Sequence, residues 1–331
     1  MVRSPLTLAA LATAAVAGLD VVSARSFGSG VQADYGSALL TIGDGSHLII
    51  RVPTSERAEA EQSADLVALR ALSTGVRARL PFTVTNFVGQ TPIGGTRAVV
   101  CDFVYGTPLD LSRIHDGSEL APSLGRAIAA IHTLPTSFVA DAGLPVLTST
   151  EILRSIVTIM DRASSTNLVP AALLGRWEKA TEDGPLWQFA PTVINGALSA
   201  DSVLTAEEAV TGIVGWQSLS VGDPARDLFW LLAAAGEYFA EATFDAYTGA
   251  RDSSDRQVKH RAMLYAELEI AKWLLHGTQE RSTEIVDDAV QMLNVLVDTV
   301  QNDLNQNLGH TTMPVLAVGD VTAMLDRDRP I

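Results

Sequence analysis

Asn195-Gly196-Ala197-Leu198-Ser199-Ala200-Asp201-Ser202-Val203-Leu204, then Gly212-Ile213-Val214-Gly215-Trp216 and Val221-Gly222-Asp223-Pro224-Ala225-Arg226-Asp227-Leu228, is the part of the chain on which the fold turns. Residues 192–194, 202–204 and 212–216 are short aliphatic runs bounded by Gly, Ser and Asp, the pattern of brief strands and tight turns. On both sides the period becomes helical. Upstream, Leu120, Leu124, Ile128 and Ile131 fall at helical spacing within 119–134, and 151–162 and 171–181 behave alike. Downstream, long helices are expected over 227–243, 255–275 and 282–304. A short strand-and-loop insert therefore sits inside a helical block.

Farther upstream the pattern changes again. Residues 20–25, 38–42, 48–52, 82–87 and 97–103 read as strands, with a hairpin at Gly43-Asp44-Gly45. One helix over 56–73, with Leu66, Leu69 and Leu72 on a single face, separates the third strand from the fourth. Tyr105-Gly106-Thr107-Pro108 marks a loop. At the start, an Ala/Leu run from Leu6 to Ala17 admits two readings, a secretory leader cleaved near Ala17 or a helix capped by Ser4 with Pro5 in its first turn. The clean stop at Gly18 and the strands that follow favour the helix. The expected organisation is a helix in 1–18, a β-rich lobe in 19–104, a mainly helical lobe in 105–308 containing the 192–228 segment, and a tail in 309–331.

Composition narrows the function classes. The 331 residues are 47% hydrophobic and 18% charged, a globular balance. Twenty-three basic against 38 acidic side chains give a net charge of −15, which argues against nucleic acid or an anionic membrane surface as partner. A single cysteine, Cys101, forms no internal disulfide and suits a reducing, cytoplasmic setting. The six histidines show no metal-ligand spacing.

The order of these segments resembles the aminoglycoside/macrolide phosphotransferase family, a branch of the protein-kinase-like fold. That family reads roughly His-Gly-Asp-Leu-His-Pro-Gly-Asn-Val-Leu, then Val-Ile-Asp-Trp, then Gly-Asp-Pro-x-x-Asp-Leu. Residues 48–53 resemble its third strand, 124–132 its first large C-lobe helix, and 99–108 its interlobe crossing. The resemblance covers roughly 20–300 and implies an α+β, bilobal fold with a β-rich N-lobe and a helical C-lobe. It also implies ATP and Mg²⁺ as cofactors wherever the chemistry is intact.

Carried over position by position, the chemistry is missing. The family's catalytic Asp falls on Ala197, its metal-binding Asn on Ser202 and its second metal-binding Asp on Gly215. Phosphoryl transfer rests on positioning and on metal ions that offset phosphate charge, with an Asp orienting the attacking hydroxyl. Ala197 offers no acceptor, Gly215 no ligand, and Ser202 only a neutral hydroxyl, whereas Mg²⁺ is usually held by carboxylates and phosphate oxygens. Asp201, beside Ser202, is the best rescue candidate, with another carboxylate left open. On the nucleotide side the resemblance places Arg51 at the phosphate-binding position of the third strand and Asp65 at its helix partner, with a structural ion pair an equal reading. Gly28 and Gly30, in Ser26-Phe27-Gly28-Ser29-Gly30, offer loop amides, though such a loop is more often simply a turn. Asp223 and Asp227 are expected to serve a turn and a helix cap, His132 to pack, and Glu207 and Glu208 to be solvated. The expectation is a non-catalytic family member that binds a small molecule or a protein partner. The alternative is an atypical enzyme phosphorylating a small-molecule hydroxyl with ATP and Mg²⁺.

Overall fold

Ser4 accepts the Thr7 amide and Pro5 fits the first turn, so the Ala-rich run folds as helix α1 (Pro5–Ala15). A computed structural model describes residues 4–28, 34–115, 117–251 and 255–306 of the chain. Helix α1 covers one face of a five-stranded antiparallel sheet: β1 (Val21–Ser26), β2 (Tyr35–Ile42), β3 (His47–Pro53), β4 (Phe87–Ile93) and β5 (Thr96–Asp102). The spatial order is β1-β2-β3-β5-β4. Side chains alternate across a strand. Leu8 and Ala12 of the helix therefore meet every second residue of the sheet: Ala38, Leu40, Leu48, Ile50, Val52, Ala98 and Val100. Burying this apolar set is what holds α1 in place.

Helices α2 (Glu56–Ala71) and α3 (Thr74–Arg77, a single turn) link β3 to β4, where the sequence suggested one helix. Arg77 explains a second departure. Its guanidinium donates to the carbonyls of Leu69, Leu72, Val84 and Thr85. Those two later carbonyls are unavailable to a ladder, so 82–86 runs as a loop and the strand expected over 82–87 begins only at Phe87.

After the crossing at 103–106 comes β6 (Thr107–Pro108), then the helices α4 (Leu120–His132), α5 (Ser137–Asp141), α6 (Ser149–Ser164) and α7 (Ala171–Glu182). The insert supplies β7 (Thr192–Ile194), β8 (Val203–Ala206), β9 (Ala209–Ile213) and β10 (Ser220–Gly222). Strands β7 and β10 pair with each other, while β8 lies between β6 and β9. Four helices follow: α8 (Phe229–Ala234), α9 (Glu237–Arg251), α10 (Val258–Glu280) and α11 (Thr283–Gln306). The single helix expected over 227–243 is thus broken, at Ala235-Gly236, where glycine is a poor helix former. A second apolar core, including Trp177, Trp216 and Trp273, unites these helices with the inner ends of α2 and the insert. Among the described residues no helix is long and apolar enough to cross a membrane.

Candidate functional site

Strand β7 delivers Asn195 and Gly196 to the top of the helical lobe, and β10 anchors the far side of the insert through the 193–221 pairing. Gly196 has φ +81°, and a Cβ there would lie 2.6 Å from the Ser218 carbonyl, so only glycine makes this bend. The bend turns Ala197 outward, where it is exposed.

Two hydrogen bonds tie this loop to the 214–215 segment. The Val214 amide donates to the Ser202 carbonyl at 2.9 Å, and Asn195 Nδ2 donates to the Gly215 carbonyl at 2.9 Å. Asn195, which stands where the family has His, also accepts the Ala197 amide through Oδ1 at 3.1 Å. One amide side chain therefore ties the loop to the 215 segment, a role the sequence reading missed. Asn in place of His was its only signal.

None of the three positions supplies a charged side chain. Ala197 is a methyl group. The Ser202 hydroxyl donates to the Ser199 carbonyl and accepts the Ser199 amide, both at 2.9 Å, which commits it to its own turn. Gly215 has φ +75°, and a Cβ there would meet Gln217 Oε1 at 3.3 Å. The neutral amide of Gln217 thus borders the space that a carboxylate at 215 would enter. Asp201, on the 3₁₀ turn Ala200–Ser202, is exposed. Among the described residues no three His, Cys, Asp or Glu side chains cluster as a metal site. This donor set does not fit Mg²⁺.

Beneath the loop the picture reverses. Asp227 is fully buried and accepts the Asn195 amide on one oxygen and the Gly196 amide on the other, both at 2.7 Å. His132 Nε2 donates to the same Asp227 carboxylate at 3.2 Å, and its Nδ1 meets the Tyr247 hydroxyl at 2.9 Å. So Asp227 holds the loop and does not cap α8, whose N-terminus has no side-chain cap. His132 is more than a packing residue: burial pushes its pKa below the ordinary 6.5, against the pull of Asp227. Asp223 does accept the Ala225 amide in its turn, as expected, and its larger partner is Arg261 at 2.8 and 3.1 Å. Arg261 also pairs with Asp255 at 2.7 Å and lies 3.9 Å from the centre of the Phe189 ring. The carboxylates of Asp255 and Asp223 hold its guanidinium in the charged form. Arg226 reaches back to the Gly196 carbonyl at 3.5 Å.

The nucleotide-side residues are rearranged. The Arg51 charge acts on the Asp65 carboxyl, yet no ion pair within 4 Å joins them among the described residues. Asp65 instead accepts the Trp216 amide at 2.7 Å, which fastens α2 to the segment that follows Gly215. Burial pushes its carboxyl above the usual range; the Trp216 bond and the Arg51 charge oppose that shift. Gly28 has φ +96° with open space around it, and Gly30 lies outside the described residues. Burial pushes the Cys101 thiol up to about 12, so it is no nucleophile at neutral pH. Glu207 and Glu208 form a left-handed turn; Glu208 is half exposed but faces His115 at 3.3 Å and the Glu119 amide at 3.4 Å.

Known proteins share this architecture. The macrolide 2'-phosphotransferase MphH of Brachybacterium faecium superposes with a TM-score of 0.71 at 20% identity, over 88% of this chain and 98% of that one. Aminoglycoside 2'-phosphotransferase-IIIa, solved with GDP, superposes at 0.70 with 19% identity, over 91% and 100%. At such identities the likeness establishes the fold alone: bilobal and kinase-like, with a β-sheet lobe and a helical lobe. In sequence, the uncharacterized protein YcbJ of Bacillus subtilis (strain 168) is 22% identical over 259 residues, 76% of this chain and 83% of its own length. The profile of the phosphotransferase enzyme family matches residues 25–265, most of the chain. The chain belongs to the phosphotransferase enzyme family.

Proposed function

We propose that this family member has given up standard metal-dependent phosphoryl transfer and acts by binding a ligand or partner at its cleft. The single observation behind this reading is the donor set on the cleft side of the loop. Ala197, Ser202 and Gly215 lie on segments tied together by hydrogen bonds, and between them they present a methyl, a hydroxyl already bonded within its turn, and no side chain at all. One lost electrostatic contributor costs on the order of 10²–10³ in rate, and here base and metal carboxylate are absent together. Asp201 does not compensate from the exposed side of its turn.

A second reading is favoured by one observation, the paired network under the loop, which keeps the backbone in order. On it the chain phosphorylates a hydroxyl of a small molecule, in line with the macrolide and aminoglycoside substrates named for its structural neighbours. Incubation with labelled ATP or GTP, magnesium and panels of macrolides and aminoglycosides separates the two. The non-catalytic reading expects no labelled product. Label transfer that disappears in Asp201→Ala establishes the second reading instead.

A further inference from the structure

A second concavity lies in the helical lobe, and none of the residues from 195 to 216 lines it. Between helices α7 and α10 is a cavity of about 480 Å³, in the ordinary range for small-molecule sites. Two bridges set its ends. At one, the buried Glu267 carboxylate of α10 accepts Arg176 Nε at 3.0 and 3.2 Å and the Trp177 indole N–H at 2.8 Å. At the other, Arg261 donates to the carbonyl of Leu186, in the single turn that follows α7, at 3.2 Å. The two helices therefore run antiparallel along the cavity. It follows α10 from Gln257 to Glu267, about 15 Å at a helix's rise.

The base of the cavity is apolar: Leu186 and Leu264 are buried, and Ala180 and Met263 are half-buried. Its α7 rim carries opposite charges, Lys179 and Asp183, both exposed. They stand one helical turn apart, about 6 Å between Cβ atoms at helical spacing. Yet neither side chain makes a hydrogen bond or ion pair among the described residues, and the Asp183 side chain caps no helix. A base placed before an acid at this spacing is the weaker order for pairing, which leaves both charges to a third group. Glu267 does not compete for Lys179, because Arg176 and Trp177 already engage its carboxylate.

We propose that this cavity binds a free α-amino acid with a large apolar side chain. Its carboxylate meets Lys179, its ammonium meets Asp183, and its side chain lies over Leu186, Met263 and Leu264. An ammonium and a carboxylate on one carbon match a base and an acid held one turn apart, whereas a ligand with a single charge leaves one of the two unanswered. Burial of the apolar side chain supplies the rest of the binding. Ala197, Ser202 and Gly215 take no part, so the inference stands whether or not the cleft transfers phosphate.

The test titrates the full chain, by ligand-observed NMR, with probes that share one phenyl body: L-phenylalanine, 3-phenylpropanoate and 2-phenylethylamine. Phenylalanine binds about threefold to tenfold more tightly than either singly charged analogue, the range for one net polar contact. Lys179→Gln removes its advantage over phenylethylamine, and Asp183→Asn removes its advantage over phenylpropanoate. Both residues are exposed, so both variants keep the melting temperature of the unaltered chain. Absence of phenylalanine binding, equal affinity for a singly charged analogue, or a preference that survives both substitutions overturns the inference.

Discussion

Two layers of one loop contrast sharply. Below it, Asp223, Asp227, Arg261 and His132 are buried, and each is bonded to a named partner. Above it, positions 197, 202 and 215 carry no charged side chain. Most buried polar groups in a fold are satisfied, and these four are, so the lower layer answers to stability. In the upper layer Ala197 is exposed and Ser202 and Gly215 are half-buried, so burial does not dictate their side chains. Family membership rests on the match over residues 25–265, and on the proposed reading it is the upper layer, not the lower, that decides activity.

The largest effect should come from breaking the lower layer. Arg261→Ala leaves Asp223 buried without its cation, and removal of one partner from a buried pair costs about 3–5 kcal/mol. A denaturant melt of this variant should show the loss directly, or the variant should fail to fold. If the loss is only a few tenths of a kcal/mol, the buried pair is not a pillar of the lobe.

The upper layer invites the opposite operation. Ala197→Asp, Ser202→Asn and Gly215→Asp together should create magnesium-dependent ATP binding, measured by calorimetry. Gly215 has φ +75° and Gln217 Oε1 nearby, so the Asp there costs roughly 1 kcal/mol of strain and Gln217 must move. A folded triple variant with no gain for Mg·ATP means the three positions do not form a catalytic centre.

A smaller effect concerns pH. The His132 imidazole takes a proton near pH 6.5 in the unfolded chain and only at lower pH in the fold. Between those values the unfolded state binds more protons, so stability rises with pH up to about 6.5 and is lost as pH falls below it. The slope from this one group is at most about 1.4 kcal/mol per pH unit. Melting temperatures between pH 7 and 5 should fall less steeply for His132→Asn than for the unaltered chain, from a lower starting point.

The smallest effect is expected at Asp201. Exposed and outside both layers, Asp201→Ala should change stability by less than about 0.5 kcal/mol and leave binding at the cleft as it was. A large change in either would place Asp201 in the site.

The contrast between layers also explains what could be read from the sequence. Strand and helix periods located the two lobes, because burial on one face writes a period into the chain. That positions 197, 202 and 215 carry no carboxylate is visible without coordinates. Long-range partners left no such mark. Asp227 reads locally as a helix cap, and its bonds to Asn195 and Gly196 span more than thirty positions of sequence. Arg77 looks like an ordinary surface base, yet its four carbonyl bonds decide where β4 begins. Asp65 suggested an ion pair with Arg51, and the structure gives it to the Trp216 amide.

Calorimetric titration of the unaltered chain with ATP, with and without magnesium, tests the central claim most directly. Magnesium is expected to add nothing to affinity, because no carboxylate at 197, 202 or 215 receives it. Micromolar binding that strengthens with magnesium would contradict it and point to a metal shell elsewhere in the cleft.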